Sequence, residues 1–154
     1  MVKIKMVDIL FYHLTQSTPE NVLPVLVERA LNNFDRVTIQ CINEERRDAI
    51  DKHLWVYADG AFIGHGTECD EYPDLQPVFL TTGNENPNNS TIRFLIEGAV
   101  CSDIHSYQRL VVMFDSRDET QLNTARVQWK NYKAQNHNVT YWHQTEDRSW
   151  KKKA

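Results

Sequence analysis

The 154-residue sequence predicts a single α/β domain: an open sheet, mostly parallel, with helices on both faces. Three observations lead there. Short apolar or β-branched runs alternate along the chain with longer stretches of helical spacing, which is the pattern of crossover units in a parallel sheet. Residues 110–144 spell one whole unit: a buried-strand run Leu110-Val111-Val112-Met113-Phe114, a capped helix to about Gln135, and a returning run Val139-Thr140-Tyr141-Trp142. A hydrophobic share of 41% in a chain of this length is enough for one core.

Val7-Asp8-Ile9-Leu10-Phe11-Tyr12 reads as the first strand. Thr15-Gln16-Ser17-Thr18-Pro19-Glu20 then starts a helix, with hydroxyl caps, a proline in the first turn and an acid behind it. Val22, Leu23, Leu26, Val27, Ala30 and Leu31 continue it. Pro24 either lies in a loosened first turn, moving the start towards Asn21, or bends the axis. After Asn32-Asn33-Phe34-Asp35 the run Arg36-Val37-Thr38-Ile39-Gln40-Cys41-Ile42 gives a second strand. Asn43 caps a second helix, with Glu44 and Glu45 where the helix dipole favours acids and Ala49, Ile50, His53 and Leu54 on one face.

Trp55, Tyr57 and Phe62 lead into a loop marked by Gly60, Gly64 and Gly66. Beyond the acidic residues 68–74, Pro77-Val78-Phe79-Leu80-Thr81-Thr82 is strand-like, residues 83–90 are an asparagine-rich loop, and Thr91-Ile92-Arg93-Phe94-Leu95-Ile96 is strand-like again. A short turn or helix is expected around residues 101–107. The count is six or seven strands and three long helices. The domain is expected to occupy residues 1–144, with 145–154 a polar, basic tail ending in Lys151, Lys152 and Lys153.

In the third helix, Asp115, Ser116 and Asp118 are candidate caps, and Leu122, Ala125, Trp129 and Tyr132 form a stripe that should face the sheet. Arg126, Lys130 and Lys133 lie beside that stripe. Two readings stay open: the cations lay their stems over the helix flank, or they look into a cleft beside Trp129.

A net charge of −4 disfavours a general binder of nucleic-acid backbone. No apolar run approaches membrane-spanning length, the N-terminus reads as leading into a strand, and a cytoplasmic protein without membrane contact is expected. Cys41, Cys69 and Cys101 read as reduced thiols. His65 and Cys69 have ligand spacing, but in a glycine-rich loop without a second pair, so no metal is expected. No cofactor is expected either, because the glycines follow neither the G-x-G-x-x-G nor the Gly-Lys-Ser/Thr pattern, and the first strand runs into His13-Leu14-Thr15-Gln16 without glycine. Ser116, His143 and Asp115 lack a nucleophile-elbow pattern, and Asp115 with Asp118 lacks an acidic partner for Mg²⁺. A nucleotide-dependent small enzyme and a direct single-stranded nucleic-acid binder remain the alternatives.

Arg126, Trp129, Lys130 and Tyr132 on that helix, Asn138-Val139-Thr140-Tyr141-Trp142 after it, Leu54-Trp55 ahead of Phe62-Ile63-Gly64-His65-Gly66, and Gln76-Pro77-Val78 together resemble the chi subunit of bacterial DNA polymerase III. The likeness runs in order through nearly the whole chain. One departure is Gly64, where the family leads one to expect proline. The resemblance implies a Rossmann-like domain without nucleotide or catalysis, an accessory part of the clamp-loader assembly that meets DNA only indirectly. It implies two further partners: the psi subunit, and the acidic C-terminal tail of single-stranded-DNA-binding protein. For that tail, Arg126 would take the terminal carboxylate, Trp55 and Trp129 would wall a slot for the ring, and Lys130 and Lys133 would meet the acids. Phe62 and Ile63 are the candidate psi contacts.

Overall fold

Eight strands form one sheet in the order β3-β4-β2-β5-β6-β1-β7-β8. This is a computed structural model, and it describes residues 6–33, 35–56, 65–70 and 72–153. The strands are β1 (Asp8–Leu14), β2 (Val37–Gln40), β3 (His65–Thr67), β4 (Val78–Thr81), β5 (Ile92–Ile96), β6 (Arg109–Asp115), β7 (Asn138–Gln144) and β8 (Trp150–Lys152). The helices are α1 (Pro19–Asn32), α2 (Glu44–Val56) and α3 (Glu119–Ala134). Every pairing is parallel except β7 with β8. The open, mostly parallel sheet expected from the sequence is what forms.

Two apolar layers sandwich it. On one face Leu23 and Val27 of α1 and Ile50 and Leu54 of α2 pack on Leu14, Ile39, Phe94 and Met113. On the other, Ala125 and Tyr132 of α3 are buried against Phe11, Val112 and Phe114, with Leu122 and Trp129 partly buried beside them. The stripe foreseen on α3 therefore faces the sheet. Strand alternation feeds both layers, since Ile9, Phe11 and His13 point one way while Tyr12 and Leu14 point the other.

The helix starts follow their caps. Asp118 accepts from the backbone N–H of Thr120 and Gln121, and Asn43 accepts from that of Arg46. α1 begins at Pro19, earlier than Asn21, and continues through Pro24, which is buried in its second turn.

Two details differ from the sequence reading, and the turn or helix expected around residues 101–107 resolves to turns. β3 and β8 are three residues each, too short to carry periodicity, and exist because a sheet edge supplies their hydrogen bonds. β8 lies inside the segment expected to be a plain polar tail, with Trp150 set edge-on to Tyr12 at 5.1 Å. Residues 101–107 form turns and no helix; Tyr107 is buried there and accepts from the fully buried Arg93 guanidinium at 2.8 Å.

Candidate functional site

A cleft of about 710 Å³ opens between α3, the carboxyl ends of β1 and β6, and the middle of β7. Its floor is His13, Phe114 and Tyr141, its helical wall carries Leu122, Arg126, Trp129 and Lys130, and Lys153 closes the far side. Trp129 is held by edge-on contacts to Phe11 and Tyr141, each with centroids 5.4 Å apart. Those contacts fix the indole in the wall, with one side against the core and the rest facing the cleft. Lys133 sets its Nζ 5.2 Å from the centre of the same ring. The size is that of a ligand cleft and the lining is mostly apolar, with charge carried by Arg126 and Lys130 on the helical wall and by Lys153 across from them.

The rim is cationic. Among the described residues, no carboxylate stands within ion-pair distance of Arg126, Lys130, Lys133 or Lys153. Asp115, next to Phe114 in β6, is engaged by the Arg117 guanidinium at 2.7 and 2.8 Å. Burial opposes its ionisation, but those hydrogen bonds prevail and hold Asp115 below the usual carboxylate range. The site thus presents unpaired positive charge beside an apolar slot, which suits an anionic group attached to a ring or alkyl chain.

At the floor, His13 Nδ1 lies 2.6 Å from the Tyr141 hydroxyl, and its ring stacks on Phe114 at 4.8 Å and on His143 at 4.4 Å. Burial, reinforced by His143, pushes the His13 pKa down to about 4 against the pull of Asp115. At neutral pH His13 is a neutral floor, and the positive charge comes from the rim alone. Burial raises the Tyr141 phenol, with Arg126 near enough to oppose that shift.

Of the residues foreseen, Arg126, Trp129, Lys130 and Lys133 come together here. Trp55 does not join them through its helix: α2 packs on the opposite face of the sheet, with α1. The side chain of Trp55 is outside the described residues, and the walls facing Trp129 are His13, Phe114 and Tyr141. Phe62 and Ile63 also lie outside the described residues. Four members were missed. His13 and Phe114 each sit one residue from a strand's carboxyl end and Tyr141 at the middle of β7, positions that only the sheet register brings together, and Lys153 arrives because its N–H bonds the Tyr141 carbonyl at 2.8 Å.

The place where an open α/β sheet would hold a nucleotide is filled by the chain itself. β1 leads to α1 on one face and its neighbour β6 leads to α3 on the other, so their carboxyl ends form the switch-point crevice. Successive backbone N–H groups of Thr15, Gln16 and Ser17 converge there as they would on a phosphate oxygen. All three donate instead to Gln144 Oε1, at 3.2, 3.0 and 3.0 Å, and Gln144 is 2% exposed. The Gln144 amide also donates to Ser17 Oγ at 2.8 Å, and Arg117 caps the Ser17 carbonyl at 2.9 Å.

Ser116 directs its hydroxyl to the Leu14 carbonyl, Asp118 caps α3, and His143 stacks on His13, so the residues considered for hydrolysis or Mg²⁺ are each engaged elsewhere. Among the described residues no group of three His, Cys, Asp or Glu side chains is placed to hold a metal, and no helix is long and apolar enough to cross a membrane.

Residues 6–140 match the family model described as the DNA polymerase III chi subunit, HolC. The chain belongs to the DNA polymerase III chi subunit family. It is also similar to a Rickettsia prowazekii (strain Madrid E) protein named "Probable DNA polymerase III subunit chi", with 24% identity over 103 residues. That alignment covers 67% of this chain and 62% of the relative, so it spans less than two thirds of the relative's length. The family match takes in the cleft residues His13, Phe114, Arg126, Trp129, Lys130 and Lys133, and leaves out Tyr141 and Lys153.

Proposed function

We propose that this chi-family chain is a non-catalytic accessory subunit of the DNA polymerase III clamp-loader assembly in the cytoplasm. Together with the psi subunit, it links that assembly to single-stranded-DNA-binding protein by docking the protein's acidic C-terminal tail in the α3 cleft. DNA is met only through these partners. One observation carries the reading: Arg126 and Lys130, without a carboxylate in ion-pair distance among the described residues, flank the apolar slot beside Trp129 in a single cleft of about 710 Å³, and the Lys133 ammonium lies over the same ring. Arg126 takes the terminal carboxylate as a two-pronged donor, the aromatic end of the tail lies against Trp129, Phe114 and Tyr141, and Lys130, Lys133 and Lys153 face the preceding acids.

The psi contact is assigned to the segment joining α2 to β3, which includes Phe62 and Ile63. β3 is the far edge of the sheet, five strand spacings from β1, or roughly 24 Å at the usual spacing between strands.

The test is a fluorescence-anisotropy titration of a labelled peptide copying the acidic tail, beside the same peptide without its last residue. Saturable binding that is lost on truncation and weakened by salt supports the reading. Equal binding of both peptides, or none, rejects it.

A further inference from the structure

A second groove lies on the opposite face of the sheet, independent of the tail cleft. Val22, Val25 and Leu26 of α1 make one wall and Tyr12, Trp142 and Trp150 the other, enclosing about 390 Å³. It runs on into a hollow of about 110 Å³ that shares Tyr12, Leu26 and Arg29. The groove exists because α1 packs towards β2 and α2, leaving β7 and β8 uncovered on this face. Adjacent residues of β7 therefore serve different sites: Tyr141 floors the tail cleft and Trp142 this one.

Its chemistry is apolar with cations towards both ends: Arg148 at one, and at the other Arg29 and Arg109 beside Asp35, whose carboxylate accepts from the Thr91 hydroxyl at 2.8 Å. Val25 is 43% exposed on the helical wall, an aliphatic side chain with nothing over it among the described residues. Arg29 projects from α1, and Arg148 from the β7–β8 turn, where its N–H bonds the Thr145 carbonyl at 3.0 Å. Neither guanidinium has a carboxylate within ion-pair distance among the described residues. The lining follows α1 from Asn21 to Asn33, which at 1.5 Å per residue is a run of about 18 Å, the length of five or six extended residues.

We propose that this groove is a second docking site and that its occupant is an extended acidic segment of a partner protein, with apolar side chains alternating between its acids. Apolar side chains would enter between α1 and the Trp142–Trp150 floor while the acids meet Arg29 and Arg148. A peptide fits better than single-stranded nucleic acid. The wall opposite the aromatics is aliphatic and offers no second stacking surface, and three arginines interrupted by Asp35, on a chain of net charge −4, cannot track a phosphate backbone.

The test is an NMR titration of the full chain with the synthetic hexapeptide acetyl-Asp-Phe-Asp-Leu-Asp-Asp-amide, whose blocked end removes the carboxylate that the tail cleft requires. The expected result is saturable shifts in the indole signals of Trp142 and Trp150 and the amide of Val25, with Trp129 unmoved. Arg29→Glu and Arg148→Glu should each weaken binding about tenfold. Both positions are exposed and make no side-chain hydrogen bond among the described residues, so the fold should persist, which the unshifted remainder of the spectrum would verify. The proposal is overturned by no saturable shift up to about 1 mM peptide. It is equally overturned by shifts centred on Trp129, by equal binding of a peptide with Lys in place of Asp, or by undiminished binding in both variants. Tighter binding of oligothymidylate in the groove would reassign it to nucleic acid, and shifts driven by protein concentration alone would reassign it to a second copy of the chain; either result rejects the peptide occupant.

Discussion

The His13 imidazole and the Tyr141 hydroxyl share a 2.6 Å hydrogen bond at the floor of the cleft, tying strand β1 to its neighbour β7 through side chains as well as backbone. Two consequences attach to it, one for stability and one for binding.

Folded His13 has its pKa pushed down to about 4 by burial and by His143, and His143 is itself lowered by burial and then by Lys153. The unfolded chain protonates these rings near the ordinary histidine value of about 6.5, so below that pH the unfolded state binds more protons. Their contribution to stability is thus complete above about pH 6.5 and lost as pH falls towards about 4. Urea midpoints measured at several pH values should fall through this window. His13→Phe, which keeps the stacking but cannot titrate, should flatten the fall. A profile identical to that of the unsubstituted chain would remove His13 from this role.

Because His13 is neutral at pH 7, tail affinity should depend on Arg126 and the lysines and should hold steady between about pH 6.5 and 8. Arg126→Ala should cost about 1.5–3 kcal/mol of tail binding in the anisotropy titration, the size of a charge-assisted hydrogen bond. Arg126→Lys should recover part of that, since the ammonium keeps charge without the two-pronged geometry. Unchanged affinity in Arg126→Ala would exclude the guanidinium from the site.

Trp129 has two duties that should separate by substitution. Trp129→Ala removes contacts to Phe11 and Tyr141 and should lower stability by about 1.5–3 kcal/mol, less than for a fully buried ring because Trp129 is only partly covered. Trp129→Phe should restore most of the stability in urea unfolding while still weakening the tail titration. Full recovery of both would leave the indole no specific part in binding.

Gln144→Ala would leave the N–H groups of Thr15, Gln16 and Ser17 without their acceptor, where Ser17 is buried, Thr15 half-buried and Gln16 exposed. A loss of about 2–4 kcal/mol in urea unfolding is expected, at about 1–3 kcal/mol per unsatisfied group with some recovered by relaxation. Gln144→Glu keeps an acceptor for all three and should lose less. Equal losses would show that the site tolerates no charge and that acceptance alone does not explain Gln144.

Much of this was legible before any coordinates. The stripe Leu122, Ala125, Trp129, Tyr132 has helical spacing, so its burial and the position of Arg126, Lys130 and Lys133 beside it follow from the 100° turn per residue. The caps Asp118 and Asn43 and the parallel crossover pattern are likewise local properties, and they set the fold class. Whether the cations merely cover the helix flank or rim a cleft is not local. It depends on what lies across from them, and Phe114, Tyr141 and His13 come from three strands aligned only by sheet register.

The same limit explains the differences. Trp55 and Trp129 look like partners in the chain, but α1 and α2 cover one face of the sheet and α3 the other, a choice made by the direction of each crossover. β3 and β8 have no pattern of their own and form because an edge offers unpaired groups; β8 in turn carries Lys153 to the cleft and Trp150 to the second groove. Gln144 is an ordinary polar residue in sequence, and only the adjacency of β1 and β7 drops its side chain into three waiting N–H groups. By itself the sequence determined the elements, the caps, the apolar faces and the family, because these depend on residues a few positions apart. The tertiary structure alone decided which side chains meet across strands, and therefore where the clefts are and why the nucleotide crevice is closed.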